Sequence, residues 1–183
     1  MGESINLVNN FKVKQVIFNN DEYNNLELNL IKQLQLKDID YYREVKEINI
    51  NGNNLYFLNN KLYDSENDNS NVIYMTLNNV KVLLMGDAST RVESDLLASY
   101  NLTDIDIFKV GHHGSNTSTS KYFIDKINPS TCLISVGENN KYGHPDDHVL
   151  NTLNNCHIYR TDLNGSIMFK IKNNDLKVET HIP

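Results

Sequence analysis

Ile105-Asp106-Ile107-Phe108-Lys109-Val110-Gly111-His112-His113-Gly114-Ser115 joins a β-branched apolar run to two histidines set between glycines. The run reads as a buried strand and the glycines as an open turn, so the imidazoles stand at a strand end. The same arrangement recurs on either side. Val80 to Met85 is apolar and closes on Gly86-Asp87, and Thr131 to Val136 is apolar and leads to Tyr142-Gly143-His144-Pro145. Three successive strands therefore deliver an acid, a histidine pair and a histidine to one edge of a sheet. Carboxylate and imidazole on such supports are ligands for zinc-like ions. The pattern reads as half of a metal-dependent hydrolase site, the other half not being in this sequence.

Outward from this stretch, secondary structure follows from periodicity. Val13 to Phe18 reads as a strand, and Asn25 to Leu36 as a helix with Leu26, Leu30 and Leu34 on one face. Glu47 to Ile50 and Leu55 to Leu58 flank Asn51-Gly52, a hairpin signal. A polar loop covers 64–71, and Asn78-Asn79 turns Val72 to Leu77 into Val80 to Met85. Thr90 with Glu93 reads as a capping box for a helix carrying Val92, Leu96 and Leu97. Ser118 to Ile127 reads as a helix with Tyr122, Phe123 and Ile127 inward. Asp146 or Asp147 would cap a helix bearing Val149, Leu150 and Leu153, before short strands at 157–160, 166–171 and 175–181. Hairpins first, then strand–helix alternation, give one mixed α/β layered domain over 1–183, without repeats or a linker.

A chain of 183 residues, 39% hydrophobic and 22% charged, suits one soluble domain. No apolar stretch is long enough to cross a bilayer, and the N-terminus lacks a signal-peptide pattern. The net charge of −6 argues mildly against nucleic acid, although bound cations would reverse the local sign. Cys132 and Cys156 match neither a CxxC pair nor a disulfide framework, and Cys132 reads as an inert buried thiol.

Each candidate residue also has a structural reading. Asp87 binds or bridges cations, or caps the following helix. If strand geometry persists through His112 and His113, their side chains diverge to opposite faces. One would then reach a metal and the other serve as acid–base group or support. Ser115, Asn116 and Thr117 orient a phosphate or water, or form a turn and cap. His144 is a ligand or a turn histidine, and His148, His157 and His181 read as solvated or structural. What favours a site is that all three groups fall at strand ends on one side of an alternating segment.

Val82-Leu83-Leu84-Met85-Gly86-Asp87, Lys109-Val110-Gly111-His112-His113-Gly114-Ser115, Ser135 through Tyr142-Gly143-His144-Pro145, and Tyr159-Arg160-Thr161-Asp162 occur in that order. Together they resemble the metallo-β-lactamase-like domain of ComEC-type DNA-internalisation competence proteins, over about residues 60 to 170. Asn67-Asp68-Asn69-Ser70 resembles the segment before that family's acidic strand. The resemblance implies an αββα sandwich of mixed sheets flanked by helices, here partial and lacking its N-terminal strands. It makes Asp87 the metal-bridging carboxylate and leaves the late ligand to the His112/His113 pair or to His144. Asp87, His112 and His144 are the candidate metal ligands, His113 and Asp87 the candidate catalytic residues, and Ser115 and Asn116 the candidate substrate contacts.

The family's His-x-Asp-x-Asp-His or His-x-His-x-Asp-His cluster is absent, and no histidine precedes His112. The resemblance therefore implies the C-terminal portion of such a domain, beginning just after those ligands. Many relatives of the fold carry a histidine near Phe18-Asn19-Asn20, where this chain has asparagine. The parent activity implied is metal-dependent cleavage of DNA phosphodiesters during uptake, with zinc or manganese as cofactor. Expected partners are DNA and a membrane channel domain of the same parent. That parent would lie in the bacterial cytoplasmic membrane with this domain on the outer face. The chain alone is expected to be soluble, to bind metal weakly or not at all, to be inactive, and to self-associate. The alternatives are a degenerate interaction module and a small-molecule metallo-hydrolase of the same fold.

Overall fold

A computed structural model describes residues 3–173 and 175–182. Helix α1 (Ser4–Asn10), strand β1 (Gln15–Ile17), helix α2 (Asn25–Leu36) and strand β2 (Asp40–Tyr42) come first, with β1 and β2 paired in parallel. Asn24 caps α2 in a reciprocal capping box with Glu27. The inward face is Leu30, Ile31 and Leu34, packed with Val8 and Phe18, while Leu26 is exposed. Leu30 and Leu34 thus lie on the buried stripe as expected, and Leu26 does not.

Strands β3 (Glu47–Ile50), β4 (Asn53–Phe57), β5 (Ile73–Leu77) and β6 (Val80–Leu84) form an antiparallel meander. Asn78 and Asn79 both hold positive φ in the β5–β6 turn, the conformation asparagine tolerates best among non-glycine residues. Helix α3 (Thr90–Ser99), strand β7 (Ile107–Lys109), helix α4 (Lys121–Ile127), strand β8 (Thr131–Ile134), helix α5 (Asp147–Thr152) and strand β9 (His157–Arg160) then alternate. β6, β7, β8 and β9 pair in parallel, completing a seven-stranded mixed sheet in the order β3-β4-β5-β6-β7-β8-β9. A short helix α6 (Thr161–Asn164) leads to the antiparallel pair β10 (Ser166–Lys172) and β11 (Asp175–His181).

Strand alternation sorts the two faces of this sheet. Leu83, Met85, Phe108, Cys132 and Ile134 point into the main core, against Val92 and Leu96 of α3, Phe123 and Ile127 of α4, and Val149 of α5. Val80, Val82 and Ile107 point the other way, onto Phe169, Ile171 and Leu176 of the β10–β11 pair. Covering on both faces explains why β6 to β8 read as nearly unbroken apolar runs. The protein is therefore a mixed α/β fold.

Three local expectations need correction. The cap of α3 is Ser89, whose side chain accepts from Arg91 N, so Thr90 and Glu93 make no capping box. Tyr122 is exposed on α4, and Ile124 takes the inward place with Phe123 and Ile127. Cys132 and Cys156 form a disulfide across the neighbouring strands β8 and β9, with Cα atoms 5.9 Å apart. Cys132 is buried as expected, but it is not a free thiol.

Candidate active site at the carboxyl ends of three strands

Because β6, β7 and β8 run parallel, the segments that leave them emerge on one edge of the sheet, where open α/β folds place their sites. The first carries Asp87. Gly86 has φ +59, and a Cβ there would lie 2.7 Å from the Ser70 Cβ, so the polar loop 64–71 closes directly onto the strand end. Asp87 N donates to Ser70 Oγ at 3.0 Å, and Ser89 N donates to Asp68 Oδ1 at 2.9 Å. Asn59, 6% exposed, holds that loop by donating to the carbonyls of Asp68 and Ser70. The polar loop 64–71 is thus the wall behind Asp87.

The second segment carries the histidine pair. His112 N donates to the Gly86 carbonyl at 3.0 Å, tying the two strand ends together. His112 and His113 both adopt left-handed backbone, φ 45° and 56°, in a 3-10 turn over Gly111–Gly114. Strand geometry does not persist here, so the two rings do not diverge to opposite faces; their centroids are 6.3 Å apart. Such conformations cost about 1–3 kcal/mol each in non-glycine residues and concentrate at functional sites.

The third segment carries His144. Gly114, at φ +81, lies so close to Pro145 that a Cβ would meet the Pro145 Cβ at 2.6 Å, and Asp146 N donates to the Gly114 carbonyl. His144 is thereby brought to a ring-centroid distance of 6.0 Å from His112. Burial lowers the His144 pKa, with His112 and His113 adding to that and Asp146 opposing it, so the ring is neutral at pH 7.

Within this frame His113 and Asp87 face each other, with Nε2 3.5 Å from Oδ1. His113 Nδ1 lies 2.7 Å from the Ser135 carbonyl, which only accepts, so Nδ1 carries the proton. Thr117 Oγ1 lies 3.3 Å from His112 Nδ1. Ser115 is 5% exposed and its hydroxyl is engaged by the hydroxyl and backbone N–H of Thr117. Asn116 is exposed. Burial lowers the Lys109 pKa, while the Asp87 carboxylate pulls it back up.

Sequence reasoning missed Asn59 and gave Glu93 only a local capping role. Glu93 is 1% exposed and accepts the backbone N–H groups of Thr119 and Ser120, fixing the loop that leaves the histidine turn. The acid four residues after Ser89 was legible as a cap signal, which masked its long-range partner.

Asp87, His112, His113 and His144 are therefore neighbours, pair by pair, at one edge. Their donor types suit a divalent ion. Asn19, whose Oδ1 is buried without a hydrogen-bond partner among the described residues, lines one cleft with Asp87. Yet no three His, Cys, Asp or Glu side chains among the described residues gather closely enough to hold a metal. The residues fit a metal in kind but not in number.

No protein-family model matches the chain. It is 38% identical over 111 residues to ComE operon protein 3 of Bacillus subtilis, covering 60% of this chain and 14% of that protein. It is 32% identical over 118 residues to competence protein ComA of Neisseria gonorrhoeae, covering 62% of this chain and 17% of that one. Recombination protein 2 of Haemophilus influenzae is 37% identical over 89 residues, 49% of this chain and 11% of that protein. The chain thus spans well under a fifth of the length of the curated relatives it matches. Across that shared segment the chain is homologous to the ComEC-type competence proteins.

Proposed function

We propose that this chain is part of a metallo-β-lactamase-like domain that hydrolyses DNA phosphodiesters during DNA uptake, and that the chain is inactive by itself. The reading is carried by the meeting of Asp87, His112, His113 and His144 at the ends of β6, β7 and β8. The names of two relatives, competence protein ComA and Recombination protein 2, support DNA as the polymer. Asp87, His112 and His144 would be the metal-facing donors of a zinc or manganese centre completed by further ligands, and the ion would activate water and steady charge on the phosphoryl oxygens. His113 and Asp87 are the acid–base pair: Nε2 faces the carboxylate at 3.5 Å while Nδ1 is committed to the Ser135 carbonyl. Asn116 meets the substrate backbone, and Ser115 shapes that loop through Thr117.

The parent is a bacterial cytoplasmic-membrane protein that supplies a channel domain as partner, with this domain on the outer face. No helix among the described residues is long and apolar enough to cross a membrane. The Cys132–Cys156 disulfide supports an oxidising surrounding, in which such bonds persist.

Nuclease assays on this chain and on the intact parent, with manganese or zinc, test the proposal. Cleavage of DNA by the parent and none by the chain is expected. Cleavage by the isolated chain overturns its inactivity. A parent that hydrolyses a lactone or small phosphoester but not DNA overturns the DNA reading.

A further inference from the structure

The loop between β8 and α5 carries a side chain that the candidate site does not use. Tyr142 is 70% exposed beside the candidate site. Its ring lies nearly parallel to that of His144, centroids 5.9 Å apart and planes at 16°. The Lys141 ammonium sits 5.0 Å from its centroid. The ammonium lies over the tyrosine ring and the His144 ring stacks with it, so a nucleobase would take the place of the flexible lysine, whose ammonium would move to the phosphate.

The loop is also held in place. Asn140 Nδ2 donates to the His144 carbonyl at 2.7 Å and to the Gly137 carbonyl at 3.2 Å, while its Oδ1 accepts His144 N at 3.0 Å. Tyr142 is thus presented by a stapled loop, which lowers the ordering cost of binding. His144 in turn reaches the His112 ring, so the stack points to the edge where Asp87 and His113 face each other.

Resting on the DNA reading above, we infer that Tyr142 is a stacking platform for an unpaired base, with Lys141 at the adjoining phosphate, so that the site takes single-stranded DNA. A duplex keeps its bases inside the stack and gains nothing from the platform.

Fluorescence anisotropy at low ionic strength with three labelled probes tests the inference: an oligothymidylate, an abasic oligomer of equal length, and a duplex. The expected result is that the intact chain binds the oligothymidylate about tenfold more tightly than the abasic oligomer. Tyr142→Ala abolishes that ratio, Tyr142→Phe preserves it, and neither variant changes duplex binding. Because Tyr142 is exposed, both variants should melt where the unmodified chain does, which separates lost stacking from lost fold. A base-dependent ratio that survives in Tyr142→Ala overturns the inference, and so does equal binding of both single-stranded probes by the unmodified chain. Binding of none of the three probes overturns the DNA reading itself and this inference with it.

Discussion

His113 Nε2 faces Asp87 Oδ1 across 3.5 Å while its own Nδ1 is committed to the Ser135 carbonyl. Three strands contribute to that one relationship: Asp87 follows β6, His113 follows β7, and Ser135 follows β8. The pair is half exposed, 48% for His113 and 40% for Asp87, so as an ion pair it adds little stability. A double-mutant cycle with His113→Ala and Asp87→Ala should give a coupling energy below about 1 kcal/mol in chemical denaturation. In the intact parent, His113→Ala should lower DNA cleavage by about a hundredfold or more, the usual worth of a positioned acid–base group. A large stability coupling with no kinetic effect would assign the pair to structure.

Glu93 has the opposite balance, since nothing exposes it to substrate and two backbone N–H groups depend on it. Glu93→Ala should cost about 2–4 kcal/mol, because each buried donor left unpaired loses about 1–3 kcal/mol. Burial raises its pKa above the ordinary value of 4.5. The folded state therefore binds this proton more tightly than the unfolded state. Its contribution is complete below pH about 4.5 and is lost as pH rises through the folded-state pKa. Subtracting the pH profile of Glu93→Gln from that of the unmodified chain should show this fall. A difference that rises with pH would contradict it.

Gly114 tests how tightly the histidine turn is locked to the loop of His144. Ala at this position needs φ +81 and brings its Cβ against Pro145. Gly114→Ala should destabilise by about 2–3 kcal/mol, read as a shift in denaturation midpoint without a change in slope. A neutral result would mean that the two loops are not in contact.

The disulfide closes a loop with a sequence separation of 24, for which chain entropy predicts about 3 kcal/mol of stabilisation. Thermal melts with and without reductant, beside a Cys132→Ala/Cys156→Ala variant, should show a loss of that size in both. Mass spectrometry showing two free thiols in protein isolated from an oxidising compartment would argue against the link.

Much of the fold could be read from the sequence because its signals are local. The bounds of α2, Asn25–Leu36, follow from periodicity, and the Asn-rich turns announce the β3–β4 and β5–β6 hairpins. The gathering of Asp87, His112, His113 and His144 was legible too, since a parallel order of β6, β7 and β8 puts their ends together. Long-range facts were not legible. Cys132 and Cys156 match no motif, and only the pairing of β8 with β9 brings them together. The divergence expected of His112 and His113 assumed strand backbone, and two successive positive φ values leave no signature in a His-His pair. Glu93 carried a helix-start signal that concealed its bonds to Thr119 and Ser120.

Metal affinity tests the central claim most directly, because the donors present are right in kind and short in number. Isothermal calorimetry of this chain with zinc at neutral pH should show weak, non-saturating heats, since Asp87, His112 and His144 without further ligands rarely outcompete water and buffer. Tight one-to-one zinc binding, lost in His144→Ala, would contradict the account and give this chain a complete centre of its own.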